Sequence, residues 1–219
     1  MIPSSMTSLY LGLGFLKNFR LITKKSATFR NWISFIFKSV ICSYSLTMNE
    51  IERFDQTLNL WSKSLLNYPV EQLVKRPDKE SWSLGQVYEH LINETNWYFD
   101  QLEGALNDLH NQDMPMSEKA SELFKRGSFE DKRIKTDPLI SDNVPQPNSI
   151  ESLTEKLLFL KKRAQSLWQK MVSGNYSGKT QHPGLGYFNA HEWLAYSEMH
   201  LRHHLKQKAR IDTFLSSIN

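Results

Sequence analysis

Asn189-Ala-His-Glu-Trp-Leu-Ala-Tyr-Ser-Glu-Met-His200-Leu-Arg-His203-His204-Leu-Lys-Gln207 reads as a helix with a polar start. Asn189 suits the capping position, and Glu192 stands three residues on, where the reciprocal acid of a capping box belongs. Neither Pro nor Gly interrupts the run through Asn219. His200 and His204 are four apart, so their rings leave one face about one turn from each other. At about 100° per residue, Trp193, Tyr196, Gln207 and Ile211 share that face. Two imidazoles thus lie in a mostly apolar stripe, the side expected to turn inward. Burying them without partners is costly. A metal ion would satisfy both, because neutral imidazole ligates Zn, Cu, Fe and Ni. Spacing alone leaves a second reading open, a hydrogen-bonded core histidine beside a surface one.

Working outward, the chain continues in helical periods. Ile51, Phe54, Leu58, Trp61 and Leu65 follow the 3/4 spacing of one apolar face, and Pro69 ends that first helix or follows closely on its end. Ser83-Leu-Gly-Gln86 is a capping-box signature that opens a second helix to about Ala105. Leu84, Val87, Leu91, Glu94 and Tyr98 form its inner side, with His90 near the edge. Ile150, Leu153, Leu157, Leu160, Ala164, Leu167 and Met171 keep an a/d spacing in a third helix, for which Asn148 is the expected cap and Glu151 its partner. Between the second and third helices, residues 106–148 form a long connection with a short helix around Glu118–Arg126. The turn-rich part from Asp137 to Asn148 cannot be continuous helix. A connection of that length lets helices two and three run parallel. No strand pair with a plausible hairpin emerges. The pattern predicts an all-α protein, a four-helix bundle with a long crossover between helices two and three.

The 219 residues include 27 basic and 23 acidic ones, a formal charge of +4. Six of the basic residues (Lys17, Arg20, Lys24, Lys25, Arg30 and Lys38) lie before Asn49, where no acid occurs. The remainder holds 21 basic against 23 acidic residues, which removes the electrostatic case for nucleic-acid binding. Residues 1–47 therefore read as a basic, apolar leader and 48–219 as the bundle. Its apolar run, Trp32 to Leu46, is short for a membrane span and contains Lys38. It is expected to be a start-site artefact ahead of Met48, with a targeting segment or a native helical extension as the alternatives. Residues 48–219 carry no expected membrane segment. The single cysteine, Cys42, excludes a disulfide framework or a cysteine-rich metal site and suits a reducing, cytoplasmic setting.

Seven histidines are present, and two imidazoles hold a metal weakly. His90 is the best third ligand, being the other histidine on the inner side of an amphipathic helix. Three protein ligands with a vacant position is the catalytic style of zinc site. His203 points off the stripe. His191 lies opposite His200 and suits solvent or capping, His182 suits the turn at Pro183, and His110 has no pattern around it. Glu94, one turn past His90, is a candidate catalytic base or the group that orients His90, with an ordinary buried or half-exposed acid as the alternative. No phosphate loop, nucleophile elbow or Glu-x-x-His di-iron pair occurs.

Ser81-Trp-Ser-Leu-Gly-Gln-Val-Tyr-Glu-His90-Leu resembles the start of helix two in the DinB/YfiT-like superfamily of metalloenzymes. His182-Pro-x-Leu-Gly186, Glu192-Trp193 and His200-x-x-x-His204-x-x-Gln207 resemble its C-terminal signature. The resemblance spans residues from about 50 to 212. It implies a four-helix bundle that is often dimeric, with His90, His200 and His204 as the ligands of one divalent metal, Zn, Ni or Fe. It also implies a small-molecule substrate. Relatives include thiol-dependent S-transferases and isomerases, so transfer of a metal-activated low-molecular-weight thiol is the expected reaction. Metal-dependent hydrolysis and a non-enzymatic metal-binding or interaction bundle are the alternatives.

Overall fold

The computed structural model describes residues 49–130 and 144–218. The leader, residues 1–47, and residues 137–143 of the turn-rich connection lie outside the described residues. The elements are α1 (Glu50–Leu65), α2 (Val70–Leu73), α3 (Leu84–Asn107), α4 (Glu118–Arg126), α5 (Ile150–Ser173), β1 (Thr180–His182), β2 (Gly186–Phe188) and α6 (Ala190–Ser217). The four long helices α1, α3, α5 and α6 make the bundle.

Local chemistry starts each of them. Asn49, Ser83 and Asn189 cap α1, α3 and α6, each with a complete capping box through Glu52, Gln86 and Glu192. Two of the amide hydrogens left unpaired at each helix start are thereby satisfied. The cap of α5 differs from expectation. Ser149, one residue after Asn148, accepts from Ser152 N, so position N3 carries a serine and Glu151 completes no box. The expected apolar faces are buried: Phe54, Leu58, Trp61 and Leu65 from α1, and Leu153, Leu157, Leu160, Ala164, Leu167 and Met171 from α5. Each such large side chain contributes roughly 1.5–3 kcal/mol of burial.

Partner numbering gives the directions. Lys156 bonds Glu89, Arg163 bonds Asn96 and Lys170 bonds Glu103, all at a constant sequence separation of 67. A constant separation requires α3 and α5 to run parallel, as the long crossover allows. Thr57 meets Glu198 and Trp61 meets Leu201, at separations of 141 and 140, so α1 and α6 are parallel as well. Asp55 meets Gln165 and Asn59 meets Lys161, a falling series that sets the two pairs antiparallel. α1 and α3 each pack on both α5 and α6, so α1 and α3 face each other across the bundle.

Two short strands contradict the expectation that no hairpin exists. β1 and β2 pair antiparallel, Thr180 with Phe188 and His182 with Gly186. Three residues per strand are too few to produce a legible period-2 pattern. The hairpin is held by its surroundings: Thr180 Oγ1 donates to Gln101 O at 3.0 Å, and Trp193 Nε1 donates to Thr180 Oγ1 at 2.7 Å. Gly186 is required there. Its φ is +82°, and a Cβ would lie 2.7 Å from Ser117 N, a conformation and an approach that only glycine tolerates.

Candidate metal centre

α3 and α6 run antiparallel with their inner faces opposed, which sets position 90 against positions 200 and 204. The three ring centroids lie 5.2 Å (His90–His200), 5.0 Å (His90–His204) and 4.6 Å (His200–His204) apart. One ligating nitrogen from each ring falls within 4.8 Å of the others. His200 and His204 come together because they are one turn apart on α6, and His90 because α3 crosses at that level.

The hydrogen bonds decide which nitrogens are available. Gln207 Oε1 lies 2.7 Å from His204 Nδ1 and can only accept, so Nδ1 carries the proton and Nε2 presents a lone pair. That Nε2 is 3.1 Å from His200 Nε2. Tetrahedral coordination with bonds of 2.0–2.1 Å separates two ligand nitrogens by roughly 3.3–3.4 Å, close to the spacing found. His200 Nδ1 is buried without a hydrogen-bond partner among the described residues; an ion at Nε2 would leave that nitrogen as it is, so the fit rests on the nitrogen spacing. The residues fit a divalent ion.

Electrostatics point the same way. Burial, then repulsion from His204, pushes the pKa of His90 down to about 3. Burial is the main cause at His204 too, at about 4, with the Gln207 hydrogen bond opposing it. His200 is held well below the ordinary range by burial and by the neighbouring imidazoles. Neutral imidazoles are the form that binds metal.

The other expected residues separate by role. His182 Nδ1 donates to Pro183 O at 2.8 Å, which leaves Nε2 to accept from the Tyr196 hydroxyl at 3.1 Å. Its ring stacks on Trp193 at 5.5 Å, so it shapes the turn and also meets α6. His203 stands beside His204, ring centroids 5.3 Å apart. His191 is exposed near Glu50, and His110 is exposed and paired with Asp108. Glu94 accepts from the Tyr98 hydroxyl, and its charge also bears on Tyr196, helping burial to raise both phenol pKa values. Around the histidines stand Trp82 against His90 (4.8 Å), Tyr98 against His200 (5.5 Å) and Phe129 against His200 (6.1 Å). Tyr98 is legible from its helical spacing to His90. Phe129 lies in the connection and gives no periodic signal.

A parallel-paired four-helix bundle with three histidines converging between α3 and α6 is a helical-bundle class with a candidate metal centre. The sequence profile of the DinB superfamily matches residues 53–207, and the chain belongs to that superfamily. Among solved structures, YfiT from Bacillus subtilis is similar, with a TM-score of 0.55 at 12% identity over 76% of this chain and 86% of that one. YfiT is described as a probable metal-dependent hydrolase with an unusual four-helix bundle topology. At that identity the likeness shows the fold. No curated protein matches the sequence.

No described helix is long and apolar enough to cross a membrane.

Proposed function

We propose that His90, His200 and His204 hold one divalent metal ion and that the protein is an enzyme transferring a low-molecular-weight thiol to an electrophilic small molecule. The observation that carries the reading is the convergence of three neutral imidazoles with one nitrogen from each ring within 4.8 Å of the others. His90, His200 and His204 would hold the ion as neutral ligands, and its uncompensated charge would lower the pKa of a thiol or water there. The chain's own part is orientation and exclusion of water. Gln207 fixes the tautomer of His204, and Trp82, Tyr98 and Phe129 wall the cluster with aromatic surface suited to an apolar substrate.

Thiol chemistry is preferred because the nearby carboxylates are engaged elsewhere. Glu89 binds Lys156, Glu198 binds Arg202, Glu192 caps α6 and Glu94 accepts from Tyr98. A thiol acidified by such an ion would lose its proton to solvent, with no carboxylate base required of the chain. Hydrolysis is the second reading, favoured by the description of YfiT. We read the substrate as a small molecule and the assembly as a cytoplasmic homodimer, which sedimentation of the full chain tests.

Metal analysis comes first. The full chain should carry about one divalent metal per protomer, lost in His90→Ala and His204→Ala; unchanged content in both variants overturns the centre. Metal-loaded protein should then conjugate a chloro-aromatic compound to a thiol. Ester cleavage without conjugation would replace the transferase reading by the hydrolase one.

A further inference from the structure

Three aromatic rings meet the histidine cluster, and they are not equivalent. Trp82 and Tyr98 are buried in the bundle core. Phe129 is half-buried and comes from the connection after α4. Its ring lies 5.2 Å from Tyr196, 6.1 Å from His200 and 5.3 Å from His203. A side chain in that position can leave the cluster without disrupting the packing of the four long helices.

The structure holds it there by a specific strut. Gly127 ends α4 in the left-handed conformation, φ +65°, and turns the chain back toward α6. Arg126 Nε donates to Ser128 O at 2.9 Å. From α6, Arg202 Nη2 donates to Gly127 O at 2.7 Å. Arg202 is itself clamped by the buried Glu198, Nε to Oε1 at 2.8 Å and Nη2 to Oε2 at 2.9 Å. Glu198 also accepts from Thr57 Oγ1 of α1 at 2.8 Å. A two-pronged arginine–carboxylate pair fixes orientation as well as charge. The strut therefore ties two bundle helices to the backbone two residues before Phe129.

We propose that Phe129 governs access to the histidine cluster from the side of the connection, and that Arg202 is a positioning residue that acts through it. The proposal rests on the three-histidine reading and adds which residue limits the size of what reaches the ion. Because Phe129 donates no ligand, removing its ring should change rates of entry and exit and leave the equilibrium affinity nearly alone.

Release of zinc from the zinc-loaded full chain to excess EDTA reads this directly, with no assumption about the reaction. Phe129→Ala should release zinc about tenfold faster, and Phe129→Trp more slowly, with zinc affinity changed by less than about threefold. Arg202→Lys keeps a charge opposite Glu198 but loses the fork that reaches Gly127 O. It should release zinc at a rate between the parent and Phe129→Ala. The double variant should be no faster than Phe129→Ala alone, since Arg202 works through that ring. Equal rates in the parent and in the Ala, Leu and Trp variants overturn the proposal; Leu and Trp decide it if Phe129→Ala does not fold. An affinity that falls in proportion to the rate overturns it too, because Phe129 would then only support the fold. A parent chain that takes up none of zinc, nickel and iron(II) sinks the metal centre, and this inference with it; release is read with whichever of the three the chain holds.

Discussion

α5 and α6 are both long amphipathic helices, yet they spend their inner faces differently. Every inward position of α5 from Leu153 to Met171 is apolar and buried, and its outer edge carries the Lys156, Arg163 and Lys170 ladder to α3. α6 buries Ser197, Glu198, His200 and Lys208 among its apolar residues. Lys208 is satisfied by Tyr68 and Asp212, and Glu198 by Thr57 and Arg202. A helix that serves only the core has no reason to bury such groups. Of these groups, only His200 is left with an unpartnered nitrogen among the described residues.

Acid should expose the difference most strongly. The histidines of the cluster titrate far below 6.5 when folded, His90 near 3 and His204 near 4, while the unfolded chain takes up their protons near 6.5. The metal-free protein is therefore fully stabilised above pH 6.5 and loses stability as the pH falls from 6.5 toward 3–4. The slope is roughly 1.4 kcal/mol per pH unit for each such histidine. Denaturant melts at a series of pH values check it, and a His90→Leu, His204→Leu variant should flatten the slope; a parent curve no steeper than the variant's would break the comparison.

Core truncation comes next. Leu160→Ala in α5 should cost about 2–5 kcal/mol in urea melts while leaving metal content per folded chain unchanged. A smaller effect runs the other way in α6. His200→Leu should raise the stability of the metal-free protein by about 1 kcal/mol, since it removes a buried polar ring, and should abolish metal binding in dialysis against zinc. A loss of stability would mean that His200 is a structural residue. The exposed ladder is the smallest term. Lys170→Ala should change stability by no more than about 0.5 kcal/mol, because both partners reach solvent.

Much of the bundle was legible from residue spacing. Helix periods placed α1, α3, α5 and α6, and capping chemistry started α3 and α6 at the residue found. Asn148 was one position off because asparagine and serine both cap well, and only the fitted backbone decides between neighbours. The β1–β2 hairpin was hidden because its stability comes from Gln101, Trp193 and Ser117 rather than from strand propensity. In the site, the i, i+4 spacing on α6 made His200 and His204 visible as a pair, the place of His90 near the inner side of an amphipathic helix made it the third candidate, and the resemblance to a metalloenzyme superfamily implied the three together.

The sequence by itself determined the amphipathic helices, the starts of α3 and α6 and the two imidazoles of α6 on one face, because these follow from the geometry of a single helix. Only the tertiary structure decided that α3 crosses α6 antiparallel at the level of His90, that Glu94 turns to Tyr98, and that Phe129 lies over His200. Those are contacts between residues far apart in the chain, set by how four helices share one core, and no local periodicity encodes them.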